Sequence, residues 1–227
     1  MTIRRFRVGA VPVDGAVTLD PASSHHLLAV CRVPRGGALA VFDGLGAEAD
    51  AVLDDVTDDR CAVVRIVGEV RRSSPAPALH LILAIPKGPA LDHALRMAVE
   101  VGVTHLHPVT TERTVPKGDR IDRWTRICVA AAEQCRRSDL PTLAPLSPLL
   151  DAIDRIPPTI DRRVAVPGAA RQAPSTGDAA LAIGPEGGFA PKEVQRLVDR
   201  GWAPIGLGPH VLRVDTAVVV GITRLVA

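Results

Sequence analysis

Aromatic side chains are scarce in this chain: they make up 2% of its 227 residues, and tyrosine is absent altogether. Hydrophobic residues nevertheless account for 47% of the sequence, so leucine, valine, isoleucine and alanine must build the core. The length is enough for one large domain or two small ones. Twenty prolines and nineteen glycines predict many tight connections between short elements.

Long apolar runs and metal-binding cysteine pairs are also missing. No apolar run reaches membrane-spanning length, and no charged-then-apolar leader opens the chain. The four cysteines, Cys31, Cys61, Cys128 and Cys135, form no Cys-x-x-Cys pair, so we expect no zinc and no other metal. These absences favour a cytoplasmic protein with reduced thiols and no membrane partner.

Excess positive charge is small, because the formal net charge is only +2, which does not by itself indicate nucleic-acid binding. The arginines are clustered, however. Arg4, Arg5 and Arg7 open the chain, and Arg71 and Arg72 follow the last β-rich run. Such clusters are either a basic contact surface or the solvated faces of unrelated elements.

Familiar nucleotide-binding and hydrolase motifs are absent as well. No Gly-x-x-x-x-Gly-Lys-[Ser/Thr] segment occurs, which excludes a P-loop. Pro86-Lys87-Gly88-Pro89 stands where a Rossmann fold carries Gly-x-Gly-x-x-Gly after its first strand, which weakens that interpretation. The chain has no Gly-x-Ser-x-Gly elbow and no His-Glu-x-x-His helix.

The pattern of the chain changes near residue 75. Residues 1–72 hold short β-rich runs separated by Gly and Asp turns, which predicts an all-β barrel with one short helix at 25–30, capped by Ser23 or Ser24. Residues 73–77 are polar and proline-containing, which predicts a linker. Residues 78–227 alternate strands with helices, which predicts an α/β domain with a mostly parallel sheet. Its predicted strands are 79–85, 105–109, 164–166, 179–183 and 203–207, and its helices are 91–101, 121–135, 191–200 and 216–227.

Two glycine-rich turns, Ile183–Phe189 and Leu207–Arg213, are the most informative segments. Each follows an apolar run and precedes a helix-like run, so each is interpreted as a strand-to-helix turn. Their glycines have no side chain, so a flat base or ribose can approach the backbone amides and carbonyls. We expect one site built from neighbouring strand ends. Glu186 and Arg213 either belong to that site or pair with each other to hold the two turns.

The same turns carry a family resemblance, together with Val214-Asp215-Thr216-Ala217, Phe42-Asp43-Gly44, Glu100-Val101-Gly102-Val103 and Ala131–Ser138. On these segments the chain resembles the SPOUT methyltransferases, and more closely the RsmE family, which methylates N3 of a uridine in 16S ribosomal RNA. The resemblance implies a PUA-like barrel at 1–72, a linker at 73–77 and a SPOUT domain at 78–227 with a C-terminal trefoil knot. It also implies S-adenosylmethionine as cofactor, a homodimer, and 16S ribosomal RNA or the small ribosomal subunit as partner.

The resemblance also assigns roles to residues. The implied cofactor-binding residues lie in and just after the two turns: Ile183, Gly184, Pro185, Glu186, Gly187, Gly188, Leu207, Gly208, Val211, Leu212, Arg213 and Thr216. Arg113 and Arg137 are the predicted catalytic contacts to the uracil or its anion, with a phosphate contact or plain surface charge as the alternative for each. Glu186 or Asp215 is either the base or a brace for the turns. The predicted RNA-binding residues are Arg4, Arg5, Arg7, Arg71, Arg72 and Arg136, with plain surface charge as the alternative for each.

The chain departs from the family's pattern at several positions. Met97 stands where lysine is usual, Cys135-Arg136 where Ser-Gly is usual, and Val214-Asp215 where Thr-Glu is usual. These departures motivate a second hypothesis, a non-catalytic RNA-binding or ribosome-assembly protein that keeps the fold. A third hypothesis is another small-molecule transferase on the same knot. The modified nucleotide, the general base, and free RNA versus assembled subunit as substrate stay open.

Overall fold

The computed structural model describes residues 3–74, 76–87, 89–114, 118 and 120–226. The chain divides into two units, Met1–Pro75 with Val129–Leu140, and Ala76–Cys128 with Pro141–Ala227. Pro75 in the predicted linker, Gly88, and Ala227 at the end of the predicted last helix lie outside the described residues.

The first unit is built on a six-stranded mixed sheet. Its strands are β1 (Arg4–Arg7), β2 (Ala16–Thr18), β3 (Ala38–Phe42), β4 (Ala47–Val56), β5 (Ala62–Ile66) and β6 (Arg71–Arg72). The order is β1-β3-β4-β5-β2 with β6 beside β4; β1 and β3 run parallel and the other pairs antiparallel. Along β4, Ala49, Ala51 and Leu53 are buried and alternate with more exposed side chains. One face of the sheet therefore forms the core.

A short helix, α1 (Pro21–His25), follows β2 and continues into one π-helical turn, His26–Val30. The predicted helix is therefore present but begins earlier, and its predicted cap was wrong. Asp20 is the N-cap, because its Oδ1 accepts hydrogen bonds from the amides of Ala22 and Ser23, each at 2.9 Å. An aspartate before a proline is the stronger start signal here, since proline suits the first helical position.

The second unit is an α/β fold with a seven-stranded parallel sheet, which confirms the predicted fold class of this part of the chain. Its strands are β7 (Leu79–Ala84), β8 (His105–Thr110), β9 (Thr142–Leu143), β10 (Ser147–Pro148), β11 (Asp161–Ala165), β12 (Ala179–Ile183) and β13 (Ala203–Ile205). The order is β10-β8-β7-β12-β11-β13, with β9 beside β8. Every residue of β12 is buried, as its unbroken apolar run predicts for a strand covered on both faces.

Within the described residues, five helices follow position 89. They are α2 (Ala90–Glu100), α3 (Ile121–Cys135), α4 (Leu149–Ile153), α5 (Pro191–Asp199) and α6 (Val214–Val226). Four match the predicted helices, but α4 and the two-residue strands β9 and β10 were not predicted, because such short elements show no periodicity. None of the helices in the described part of the chain is long and apolar enough to cross a bilayer.

Candidate cofactor site

A cavity of about 270 Å³ lies at the carboxyl ends of β11, β12 and β13 in the second unit. Both glycine-rich turns line it, so the structure brings together the two segments that the sequence singled out. The carboxyl edge of a parallel sheet is where α/β proteins usually bind ligands. Ten predicted cofactor residues line the cavity: Ile183, Gly184, Pro185, Glu186, Gly187, Gly188, Leu207, Gly208, Val211 and Leu212.

The first glycine turn is held from inside and from two neighbouring segments. The Gly188 amide donates to the Pro185 carbonyl at 2.7 Å, which closes the turn. The Lys87 amide, after β7, donates to Oε1 of Glu186 at 2.9 Å. The Arg113 guanidinium, after β8, donates to the Gly187 carbonyl. The turn is therefore held by contacts within the chain itself, which lowers the entropic cost of binding a ligand.

Glycines in this turn meet different constraints. A Cβ at Gly184 would stand 2.8 Å from the Phe189 amide nitrogen, so no side chain fits there. Gly188 has a φ of 67°, a left-handed conformation that favours glycine. A Cβ at Gly187 would meet only the Arg113 Cδ, at 3.4 Å, an ordinary contact. Packing within the described chain thus does not require glycine at 187.

Two predicted cofactor residues lie outside the cavity wall. Arg213 has a 77% exposed side chain, and its Nε lies 3.6 Å from Oδ1 of Asp215. Thr216 is also exposed, while its neighbours Val214 and Ala217 line the cavity. This placement follows from helix geometry, because α6 presents 214 and 217 on one face and 216 on another.

A third wall was missed by the sequence interpretation. Ala165, Val166 and Pro167, at the end of β11, line the cavity, as does His210 in the second turn. The pattern was visible, because the predicted strand 164–166 runs directly into Pro167-Gly168, another apolar run followed by a breaker.

The ion pair between Glu186 and Arg213, one of the two alternatives drawn from the sequence, is not formed within the described chain. Glu186 is exposed and accepts from the Lys87 amide, whereas Arg213 faces Asp215, so among the described residues Glu186 and Arg213 form no ion pair. Asp215 is buried, and its Oδ2 lies 4.0 Å from Nδ1 of His93 on α2. Glu186 therefore lines the cavity, while Asp215 lies behind it among polar partners of its own.

The cavity suits an adenosyl group by its chemistry. Its walls combine aliphatic side chains with the backbone of the two turns, so a flat heterocycle can lie on the first and hydrogen-bond to the second. Within the described ranges no group of three or more His, Cys, Asp or Glu side chains could hold a metal ion.

The remaining predicted residues belong to the first unit. Arg137 is paired with Asp139, with 2.7 Å between Nη2 and Oδ2. Burial raises the pKa of Asp139, but the hydrogen bonds and charge of Arg137 outweigh it and hold that pKa below its ordinary value.

Arg5 has an 8% exposed side chain, lies over the Phe42 ring and donates to Glu48 at 2.6 Å. Its predicted role as a phosphate contact is disfavoured, because the guanidinium is buried and already paired.

The other arginines predicted to contact RNA differ in their exposure and in whether they form ion pairs. Arg71 is half-exposed and donates to Glu48 at 3.2 Å and to Asp50 at 3.0 and 3.1 Å. Four others are exposed and form no ion pair among the described residues: Arg4, Arg7, Arg72 and Arg136.

Comparison with known proteins adds to this geometry. Residues 72–226 match the family model of the RNA methyltransferase domain. The ribosomal RNA small subunit methyltransferase E of Synechocystis sp. is 32% identical over 237 residues, which covers 98% of this chain and 78% of that protein.

Solved structures are similar over nearly the full length. The ribosomal RNA small subunit methyltransferase E from Neisseria gonorrhoeae, bound to S-adenosyl methionine, superposes with a TM-score of 0.89 at 28% identity, covering 98% of this chain and 96% of that one. A Legionella pneumophila protein in complex with bound SAM gives a TM-score of 0.88 at 28% identity, covering 99% and 97%. The chain therefore belongs to the RNA methyltransferases and, within them, to the ribosomal RNA small subunit methyltransferase E family.

Proposed function

We propose that this protein methylates N3 of a specific uridine in 16S ribosomal RNA, with S-adenosylmethionine as the methyl donor. The observation that carries the proposal is the cavity at the carboxyl ends of β11, β12 and β13, lined by both glycine turns. Family membership and the similarity to two proteins solved with this cofactor support it.

The ten predicted residues that line the cavity would hold the cofactor, and Ala165, Val166 and Pro167 add a third wall. When bound, the cofactor supplies a methyl group on a positively charged sulfur, already activated for transfer. The exposed carboxylate of Glu186 stands at the wall, where it favours a cation. The second candidate role of Glu186, bracing the turn, is compatible with this, since one oxygen accepts from Lys87.

The demanding step is the activation of the acceptor nitrogen, because uridine N3 carries a proton at neutral pH. A guanidinium beside O2 or O4 would stabilise the uracil anion that forms as the proton leaves. Arg113 is the residue of the second unit best placed for this, since its side chain reaches the glycine turn that lines the cavity. Arg137 is the second predicted contact, and Asp139 holds its guanidinium in a fixed orientation.

The finer features of the family belong to the same proposal. We infer an N-terminal PUA-like barrel at 1–72, a linker at 73–77, a SPOUT domain at 78–227 with a trefoil knot, a homodimer and a cytoplasmic location. The Gly206 amide donates to the Ala170 carbonyl at 2.9 Å, so the segment after β13 lies against the segment after β11, a close approach that a knot there would require. The exposed Arg4, Arg7, Arg72 and Arg136 would contact RNA phosphates, an interaction that weakens with salt.

The decisive experiment joins cofactor binding to product analysis. Calorimetric titration with S-adenosylmethionine should show binding, and mass spectrometry should find 3-methyluridine in 16S ribosomal RNA after incubation of small subunits with the protein. Binding without any methylated nucleotide would favour the other small-molecule transferase. A folded protein that binds RNA but no cofactor would favour the non-catalytic assembly protein.

A further inference from the structure

A second cavity, of about 340 Å³, lies within the first unit on the face of the sheet that does not carry the core. Ala40 of β3 lines it between its register neighbours, Arg5 on β1 and Asp50 on β4. Because a methyl group stands between long side chains, the sheet leaves a slot there. Its volume falls within the range of small-ligand pockets, roughly 300–1,000 Å³.

The walls of this slot carry ionised acceptors. Arg71 donates to both oxygens of Asp50, and these bonds hold the pKa of Asp50 below its ordinary value. Burial raises the pKa of Glu48, but hydrogen bonds and charges from Arg5 and Arg71 outweigh it and lower that pKa. At neutral pH both carboxylates are therefore ionised, so they can accept hydrogen bonds but not donate them. Each oxygen keeps a lone pair beyond its arginine contact.

Arg5 forms one wall of the slot with a side chain that is only 8% exposed. Its guanidinium donates to Oε2 of Glu48 at 2.6 Å, so the carboxylate of Glu48 is held in place at the slot.

The rim carries a strained arginine. Helix α3 ends at Cys135, the Arg137 amide closes it on the Ala132 carbonyl at 3.1 Å, and Arg136 between them has a φ of 64°. Glycine is the usual residue at this left-handed position, since a Cβ there costs conformational free energy. Despite this cost, the residue at this position is arginine. Its guanidinium is exposed at the cavity and forms no ion pair within the described chain.

We propose that this cavity binds one unstacked nucleotide of the RNA, with its phosphate on Arg136 and its base in the slot over Ala40. The carboxylates of Glu48 and Asp50 can accept from an exocyclic amino group, which cytosine has and uracil lacks. The slot therefore prefers cytosine to uracil. The bound nucleotide is a flanking one and not the methyl acceptor. This inference rests on the proposed function, which makes RNA the substrate.

The test uses the full-length protein and two variants with a matched control. Arg136→Gly removes the guanidinium and relieves the left-handed strain, so its melting temperature should be unchanged or higher. Arg60→Gly is the control, because Arg60 is exposed, has a φ of 59° and does not line the cavity. Ala40→Val fills the slot with a residue suited to a strand. Binding of hexacytidylate, hexauridylate and 16S ribosomal RNA is measured by fluorescence anisotropy at several salt concentrations.

Wild-type protein and Arg60→Gly should bind hexacytidylate at least about fivefold more tightly than hexauridylate. Arg136→Gly should lose about tenfold in affinity for both, with a salt slope smaller by about 0.7. Ala40→Val should remove the preference for cytidine. Equal binding of the two oligonucleotides by wild type, or an Arg136→Gly that matches the Arg60→Gly control, overturns the inference.

The proposed function is judged separately, by methyl transfer to ribosomal RNA by wild-type protein. If that transfer occurs while the cavity variants behave like the control, only the nucleotide slot is refuted. If the slot binds cytidine as described while no methylation occurs, the proposed function fails and the inference of a nucleotide-binding slot stands.

Discussion

The guanidinium of Arg113 donates to the carbonyl oxygen of Gly187, joining the segment after β8 to the glycine turn after β12. Beside it, Lys192 on α5 lies 2.7 Å from Oε2 of Glu112, and the Glu112 amide donates to Oε1 of the buried Glu193 at 2.9 Å. The segment that presents Arg113 is therefore tied to the start of α5. A side chain anchored in this way at the cavity can orient the turn and still offer its remaining N–H groups to a substrate.

Gly187→Val should abolish cofactor binding and leave the fold intact. The Cβ at 187 would meet only Arg113 within the chain, at 3.4 Å, but the branched side chain would occupy space at the cavity wall. Calorimetry should show no heat with S-adenosylmethionine, and the melting temperature should stay within a few degrees of wild type. Gly177→Val is the control, because a Cβ there meets nothing within 4 Å. Unchanged cofactor affinity in Gly187→Val would remove the turn from the site.

Arg113 and Arg137 should respond differently to truncation. Arg113→Ala removes the contact to Gly187, so the cofactor dissociation constant should rise about fivefold and kcat should fall as well. Arg137→Ala should lower kcat at least tenfold with little change in cofactor affinity, because Arg137 belongs to the first unit and the cavity to the second. Parallel measurements of kcat and of the cofactor dissociation constant separate the two. Equal losses in both quantities for Arg137→Ala would contradict an anion-stabilising role.

Charge reversal at Arg5 and Arg7 should separate structure from RNA contact. Arg7 is exposed, so Arg7→Glu should weaken RNA binding and reduce its salt dependence without lowering the melting temperature. Arg5→Glu places a carboxylate beside the half-buried Glu48, which should destabilise the first unit by about 3 kcal/mol. Salt-dependent binding and urea denaturation of both variants check the prediction. An Arg7→Glu protein with the wild-type salt slope would exclude Arg7 from the RNA surface.

How far the sequence predicts this protein depends on how local each signal is. The buried strands β7 and β12 and the long helices α2, α3, α5 and α6 were predictable, because the order of apolar residues alone determines their exposure. The two glycine turns were predictable too, since a breaker after an apolar run requires no knowledge of the rest of the fold.

What the sequence could not show are relations between distant segments. Arg5 looks like a surface charge, and only the pairing of β1 with β3, and of β3 with β4, reveals that it is buried against Phe42 and Glu48. Helix α3 starts in the second unit, yet its residues from Val129 onward, with the segment that follows as far as Leu140, belong to the first. No periodicity reports which unit the end of a helix joins.

Three stacked histidines should make stability depend on pH. His80 lies 4.2 Å from His105 and 5.4 Å from His107 between ring centroids, and Nδ1 of His80 is 3.1 Å from Nε2 of His107. Burial, together with the charge of neighbouring histidines, lowers the pKa of His80 and of His107 from 6.5 to about 4. Burial also lowers the pKa of His105.

The sign follows from proton binding by the two states. Between about pH 6.5 and pH 4 the unfolded chain binds more protons at these histidines than the folded one, so the free energy of unfolding should fall as the pH falls. The contribution of these histidines to the free energy of unfolding is complete above pH 6.5 and lost below pH 4. Urea denaturation at pH 7, 6, 5 and 4 measures it, with the His80→Gln/His107→Gln double variant as comparison. If that variant shows the same pH dependence as wild type, other groups are responsible.

Gly206→Ala should be among the most destabilising single-methyl additions in the second unit. A Cβ at Gly206 would overlap the carbonyl oxygen of Ala169, a backbone atom that cannot rotate away, and the Gly206 amide donates to the neighbouring Ala170 carbonyl. We expect a loss of about 3 kcal/mol in the free energy of unfolding. Gly177→Ala, which meets nothing within 4 Å, should change it by less than about 1 kcal/mol. Equal stabilities of the two variants, measured by urea denaturation, would show that the two segments do not lie so close together.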